Sequence, residues 1–321
     1  MTSTSESRTP GQRKRRFQRQ PEGRIQLTER DTAVIRAVYR YRFVRSTHLM
    51  ALFDGNQGLL RRLGELYHHG YLDRPREQIE FYRDAGSKPM VYGLGNQGAD
   101  YLALYGGVSR GKIDWTAKNQ SAKQLFIEHT LLVSDVLVGL ELACRASGRV
   151  RLIPPEEILA GAPEATQKSQ KPFQWTVTCD YQHERGVALG VIPDAVFGLQ
   201  YLDKPEGRNR AFFFLEADRS TMPVVRPSAR QTSFLRKLTA YYATDKQGLL
   251  ADLFNIRRFR VLTVTSNAER VNHLVQVTRS LNGGVGLKMF LYTDEPTLHS
   301  APDLLQLDWR NGQDGELIRL G

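Results

Sequence analysis

The chain has few of the features that mark secreted and membrane proteins. Its 321 residues contain only two cysteines, Cys144 and Cys179, which provide neither a disulfide framework nor a cysteine metal site. The amino terminus has no apolar run, so we expect no signal peptide. The most apolar long segment, residues 125–144, is interrupted by three acidic residues and a histidine, which excludes a membrane span. We therefore expect a cytoplasmic protein that does not contact a membrane.

Several enzyme signatures are also missing. There is no glycine-rich phosphate loop of the Walker type, so ATP hydrolysis is not expected. No histidines have the paired spacing of an HUH nuclease metal site. Tyr241 and Tyr242 could form a nucleophile pair, but the helical spacing of apolar residues favours Tyr241 as a core residue.

Positive charge is concentrated in the first third of the chain. Of the net charge of +11, residues 1–24 carry +5, residues 25–112 carry +4 and the remainder carries +2. Residues 1–24 lack apolar periodicity, and we expect a disordered basic arm or, alternatively, a solubilising tail. Cations of such an arm displace counterions from a phosphate backbone. The candidates are Arg13, Lys14, Arg15, Arg16 and Arg19.

Residues 25–106 have the pattern of a winged helix-turn-helix domain. A capping-box-like start at Thr28 predicts a first helix that ends near Tyr39. A short second helix follows, and a third helix is predicted over residues 56–69, with Gly70 in the left-handed conformation after it. Apolar residues at helical spacing predict the core: Val34, Ile35, Val38, Leu49, Leu52, Phe53, Leu59, Leu60, Leu63 and Leu66.

The polar face of the third helix could read DNA bases. In helix-turn-helix proteins the first residues of this helix reach base edges, where Asn and Gln pair with adenine and Arg pairs with guanine. Two strands, predicted over residues 71–74 and 89–94, would form a wing with a basic tip. The alternative is an ordinary solvated helix face. The candidate contacts are Asn56, Gln57, Arg61 and Arg62 on the helix and Arg76, Arg83 and Lys88 on the wing.

The rest of the chain predicts a second domain. Residues 107–122 are rich in glycine and polar side chains and are interpreted as a linker. Alternating strands and helices then predict an α/β domain over residues 123–321, with a sheet of four to six strands covered on both faces. The predicted helices are 122–147, 226–243 and 267–281, and the predicted strands are 150–153, 173–179, 191–199, 211–216, 260–265 and 288–292.

Asp194 and Glu216 follow or end two strands predicted to be neighbours. Two such carboxylates can share a divalent cation such as Mg²⁺ with a phosphate oxygen, as in the restriction-endonuclease-like, PD-(D/E)xK fold. That pattern requires a lysine two residues after the glutamate, where this chain has Asp218. Lys237, on the next predicted helix, is a candidate substitute. The alternative is a strand-end Asp194 and a local ion-pair cluster of Glu216, Asp218 and Arg219.

Together these segments resemble the replication-relaxation family of plasmids and integrative elements. The resemblance covers residues 27–245 and implies a winged helix joined to a nuclease-like domain of doubtful activity. It also implies a role in the replication and relaxation of mobile-element DNA. The segments that carry it are Leu27–Asp31, Leu59–Leu63, Val91–Leu94 with Gly98, Glu128–Leu131, Pro193–Ala195 and Phe213–Arg219.

The leading hypothesis is therefore a bacterial DNA-binding protein, associated with the nucleoid or a plasmid, that acts at an origin of replication or transfer. Its partners would be double-stranded DNA, relaxase, replication or transfer proteins, and a second copy of the chain. DNA binding would need no cofactor. One rival hypothesis is a Mg²⁺-dependent nuclease or nickase that uses Asp194, Glu216 and Lys237. A second rival is a winged-helix transcriptional regulator.

Overall fold

The computed structural model describes residues 17–78, 88–220, 222–226 and 233–321. The protein has a mixed α+β fold, and its contacts divide it into two units, residues 1–138 and 139–321. None of the helices in the described ranges is long and apolar enough to cross a membrane. Five of the predicted DNA-contacting cations lie outside the described residues: Arg13, Lys14, Arg15, Arg16 and Arg83.

The amino-terminal unit combines helices with a small antiparallel sheet of order β1-β3-β2. Strand β1 lies where the sequence predicted only a short apolar link, and its Phe43 pairs with Gly93 of β3. The two predicted wing strands are present but shorter than predicted. In chain order the elements are α1 (Glu29–Tyr41), β1 (Phe43–Arg45), α2 (Ser46–Leu52), α3 (Gln57–His68), β2 (Leu72–Asp73), β3 (Val91–Leu94), α4 (Asn96–Tyr105), α5 (Trp115–Gln120) and α6 (Gln124–Ser147). Residues 139–147 of α6 belong to the second unit.

Local sequence signals account for the helices of this unit. The Thr28 side chain accepts a hydrogen bond from the Asp31 amide at 3.2 Å, and Asp31 accepts one from the Thr28 amide at 2.8 Å, so the predicted capping box is confirmed. Gly70 has a φ of +80°, the left-handed conformation expected of it. Of the ten predicted core residues eight are buried, whereas Phe53 and Leu60 are half-buried.

A helix, α5, is present within residues 107–122, where the sequence predicted a linker. Asp114 caps it by accepting a hydrogen bond from the Ala117 amide at 2.9 Å. The Asn119 side chain is fully buried, donates to the Leu94 carbonyl and accepts from Arg42. Glycine and polar residues suggested an exposed linker, but buried hydrogen bonds join this helix to the sheet.

The carboxy-terminal unit is built on a seven-stranded sheet of order β12-β11-β10-β9-β8-β7-β4. Strands β8, β9 and β10 are parallel to one another, and the other pairings are antiparallel. After α6 the elements are β4 (Val150–Ile153), α7 (Pro155–Ala160), α8 (Glu164–Gln167), β5 (Trp175–Tyr181), β6 (Glu184–Val191), β7 (Ala195–Tyr201), β8 (Arg210–Asp218), α9 (Phe234–Lys246), α10 (Leu249–Phe254), β9 (Arg260–Thr265), α11 (Ala268–Arg279), β10 (Leu287–Asp294), α12 (Glu295–Ser300), β11 (Trp309–Gly312) and β12 (Leu317–Ile318).

The sheet corrects two predictions. The single strand predicted over residues 191–199 is two strands in different sheets, because the segment Ile192–Asp194 leaves the ladder and Pro193 has no amide to donate. Strand β6 pairs with β5 in a separate hairpin, and β7 pairs with β8. The sheet also has seven strands rather than four to six, since β11 and β12 are too short to show an alternating pattern.

Helix α9 packs on the central strand β8 through aromatic side chains. The Tyr241 ring lies 5.9 Å from the Phe214 ring, and Trp175 of β5 stands edge-on to both. The Trp175 indole donates to Thr244 of the same helix at 2.9 Å. This packing fixes the face of α9 that is turned toward the end of β8.

Candidate functional site

Glu216 lies near the end of β8 and is only 2% exposed. Side chains alternate across a strand, so Glu216 shares a face with Phe214 and lies under α9. A charged group at such a position is costly unless it is paired. A buried Glu216 therefore requires hydrogen-bond or ionic partners at this end of the sheet.

Lys237 and Tyr241 of α9 both bind Glu216. The Lys237 ammonium lies 2.5 Å from Oε2, and the Tyr241 hydroxyl donates to Oε1 at 2.7 Å. The two residues are four positions apart, which places them on one helix face. Lys237, the candidate substitute for the lysine of the PD-(D/E)xK pattern, thus binds Glu216 directly. The structure adds Tyr241, which hydrophobic spacing assigned only to the helix core.

Asp194 is held at the edge of the same strand by the main chain. Its amide donates to the Leu215 carbonyl at 3.0 Å, and its Oδ2 accepts from the Ala217 amide at 2.8 Å. The carboxylate is close enough to Glu216 to raise the pKa of that group. Asp194, Glu216 and Lys237, predicted to form one site, therefore lie in one cluster.

Burial controls the protonation of this cluster. Burial raises the pKa of Glu216 to about 7; the Lys237 charge opposes this shift and the Asp194 charge adds to it. Burial by itself lowers the pKa of Lys237, but the carboxylates of Glu216 and Asp194 outweigh it and raise that pKa. Burial also raises the pKa of Tyr241 well above its ordinary value. Near neutral pH the cluster thus contains a charged lysine, a neutral phenol and a glutamate that can take up a proton.

Asp218 is the next residue on the same face of β8. Its Oδ2 accepts from Arg270 Nε of α11 at 2.7 Å and from the Thr265 hydroxyl at 3.2 Å. Glu216 and Asp218 thus have separate cationic partners, Lys237 and Arg270, from two helices. The sequence did not identify Arg270 because it is 52 residues from Asp218.

Asp194 and Glu216 are the residues that would hold a Mg²⁺ ion at this site. Both oxygens of Glu216 are already hydrogen-bonded, to Lys237 and Tyr241. Within the described part of the chain, no group of three or more acidic, histidine or cysteine side chains is arranged to hold a metal ion. A Mg²⁺ ion held by Asp194 and Glu216 with water and a phosphate oxygen would therefore have to displace Lys237 or Tyr241 from Glu216.

In the amino-terminal unit, two adjacent arginines of α3 have different surroundings. Arg61 is exposed and has no ion-pair partner in the described ranges. Arg62 binds Asp31 through two hydrogen bonds of 2.7 and 3.0 Å and also binds Glu65 at 2.7 Å. The bonds to Asp31 are the main reason that the pKa of Arg62 is raised. Arg62 therefore clamps α3 to α1, whereas Arg61 extends into solvent.

Some of the other predicted DNA-contacting side chains bind groups of the protein itself, and others are exposed. Asn56 caps α3 by accepting from the Gly58 amide at 2.9 Å, and its neighbour Gln57 is exposed. Arg19 lies 3.3 Å from Asp73 and so belongs to the folded unit. The two remaining candidates among the described residues, Arg76 and Lys88, are exposed.

Comparison with known proteins agrees with the sequence resemblance. A family model described as Replication-relaxation matches residues 35–251, which is more than half of the chain. No curated protein and no solved structure matches the chain significantly. The family predicted from the segments quoted above is thus confirmed.

Proposed function

We propose that this chain, which belongs to the replication-relaxation family, binds duplex DNA. The DNA site would be an origin of replication or transfer of a plasmid or integrative element. In this proposal the amino-terminal unit is a winged helix-turn-helix and α3 is its recognition helix. The carboxy-terminal unit is a nuclease-like domain that positions a partner protein or a second copy of the chain. DNA binding itself requires no cofactor.

The contrast between Arg61 and Arg62 carries the proposal. A recognition helix must be fixed to its domain while its outward side chains remain available. Arg62 fixes α3 through the buried carboxylate of Asp31. Arg61 and Gln57, one turn apart, are exposed on the same helix. These residue types pair with guanine and adenine in the major groove.

Fluorescence anisotropy with the full chain and duplex fragments from its own element tests this proposal. We expect Arg61→Ala to weaken binding to the preferred fragment by about 1–3 kcal/mol and to relax base preference at one position. Arg185→Ala, which removes an equal charge from the exposed start of β6, is the matched control. Equal affinity and specificity of Arg61→Ala and the wild type would contradict the assignment of α3.

DNA cleavage is a second candidate function, favoured by the position of Lys237 on Glu216 beside Asp194. Supercoiled plasmid carrying the element would be incubated with the protein and Mg²⁺ or with a chelator. Nicking that needs the metal and disappears in Glu216→Ala would support an enzyme. Binding without nicking would support the DNA-binding role, and binding confined to the protein's own promoter would support a regulator.

A further inference from the structure

One edge of the seven-stranded sheet carries six exposed arginines that neither function above uses. They lie just before β4, at the start of β8 and on the segment that enters β9. All six belong to the carboxy-terminal unit, whose own net charge is close to zero. We call this group the basic edge: Arg149, Arg208, Arg210, Arg257, Arg258 and Arg260.

Strand pairing brings these residues together. Gln200 of β7 pairs with Arg151 of β4 on one side and with Arg210 of β8 on the other. Arg260 begins β9 and pairs with Phe213, three residues after Arg210. Neighbouring strands lie about 4.8 Å apart, so the four strands cross this edge within about 15 Å. The basic edge is therefore one surface rather than a set of scattered charges.

The arginines of the basic edge have no carboxylate bound to them, in contrast to four other arginines of the same unit. Across the described ranges, none of the six forms an ion pair. The nearby Glu157 is bound by Arg151. The hydrogen bonds from Arg151 are the main reason that the pKa of Glu157 is lowered, and the charge of Arg210 contributes less. Paired arginines of the unit include Arg145, Arg151, Arg270 and Arg319.

The turn between β7 and β8 adds Asp203, Lys204 and Glu206 to this end of the sheet, so six arginines and one lysine outnumber these two carboxylates. The acidic groups of β8 lie farther away. Glu216 lies six residues beyond Arg210 on the same strand, which corresponds to about 20 Å. Glu216 is also buried and paired with Lys237. Six guanidinium groups within one edge repel one another, and a polyanion would relieve that repulsion. Guanidinium groups bind phosphate oxygens with two parallel hydrogen bonds.

We propose that the basic edge binds the phosphate backbone of duplex DNA without regard to sequence. The inference depends on the proposed function, because the amino-terminal unit would select the DNA site. The basic edge would then hold the flanking duplex against the carboxy-terminal unit. Its contribution is electrostatic, so it depends on the salt concentration rather than on the base sequence.

The test compares two triple variants of the full chain on a random-sequence duplex. One variant removes Arg208, Arg210 and Arg258 by substitution with glutamine. The control removes Arg145, Arg185 and Arg319 in the same way and so has the same net charge. The dissociation constant is measured by anisotropy over a range of salt concentrations, after circular dichroism shows that each variant is folded.

We expect the slope of log affinity against log salt to fall in magnitude by about 0.9 for each phosphate that the basic-edge variant no longer neutralises. The control should keep the wild-type slope. Equal slopes in the two triple variants would overturn the proposal while leaving the proposed function intact. Failure of the wild type to bind any duplex would instead overturn both. If the triple variant does not fold, Arg208→Gln and Arg258→Gln are measured singly by the same criterion.

Discussion

The charged side chains at the two ends of strand β8 differ in burial and in pairing. At the carboxyl end, Glu216 and Asp218 are buried, and each is bound by a cation from a helix. At the amino end, Arg210 is exposed and forms no ion pair with the described residues. Buried charges must be paired, because leaving one unpaired costs several kcal/mol, whereas exposed charges can remain available to a ligand. The comparison separates the side chains that stabilise the fold from those that we propose bind DNA.

The largest effect should come from removing Lys237. We expect Lys237→Met to lower the free energy of unfolding by about 2–3 kcal/mol at pH 8, because Glu216 would lose its counter-charge in a buried site. Arg210→Gln, at the other end of β8, should change it by less than about 0.5 kcal/mol. Urea denaturation of both variants makes the comparison. Similar small effects in the two variants would show that the buried pair does not matter for stability.

A second prediction concerns the clamp on α3. Arg62→Ala should destabilise the amino-terminal unit by about 2 kcal/mol, because the buried Asp31 would lose a charged partner. Arg61→Ala should leave the melting temperature nearly unchanged. Thermal unfolding followed by circular dichroism separates the two variants. Equal melting temperatures for Arg61→Ala and Arg62→Ala would remove the distinction between the held and the exposed arginine.

A third prediction follows from the pKa of Glu216, which is about 7 in the folded protein and has an ordinary value of 4.5. The folded protein therefore binds more protons than the unfolded chain between these values, and its stability should fall as the pH rises from about 4.5 to about 7. Glu216→Gln should flatten this part of the profile. Urea denaturation between pH 5 and pH 8 measures it, and unchanged slopes in the variant would assign the effect to other groups.

The smallest effect should come from the first turn of α3. Asn56→Ala removes the cap and should cost about 1 kcal/mol of stability, whereas Gln57→Ala should have almost no effect on stability. Both variants should alter DNA binding if α3 enters the groove. Paired unfolding and anisotropy measurements show whether Asn56 acts through the helix or through the DNA. An affinity of Gln57→Ala equal to that of the wild type would argue against base contact by this turn.

Local patterns predicted much of the fold and part of the site. The capping box at Thr28, the left-handed Gly70 and strand β9 all lie where the sequence placed them. Such features depend on neighbours within a few residues. Lys237 is a candidate from the sequence because the PD-(D/E)xK pattern requires a lysine and this one lies on the helix that follows Glu216.

The remaining features depend on contacts between distant segments. Tyr241 binds Glu216 across 25 residues, and Arg270 binds Asp218 across 52. Asn119 is buried in a segment whose composition predicted a linker. Hydrophobic periodicity carries no information about such hydrogen bonds, since tertiary packing decides which polar groups are buried together. The same limit explains why the basic edge was not predicted, because its arginines are up to 111 positions apart in the sequence.

The most direct test of the account is the ratio of affinities of the full chain for its element's origin fragment and for a scrambled duplex of equal length. Both are measured at about 150 mM salt, where non-specific binding is weak. We predict that the origin fragment binds at least about a thousandfold more tightly, the lower range for specific DNA-binding proteins. Equal affinities, or no retention of either duplex, would contradict the central claim.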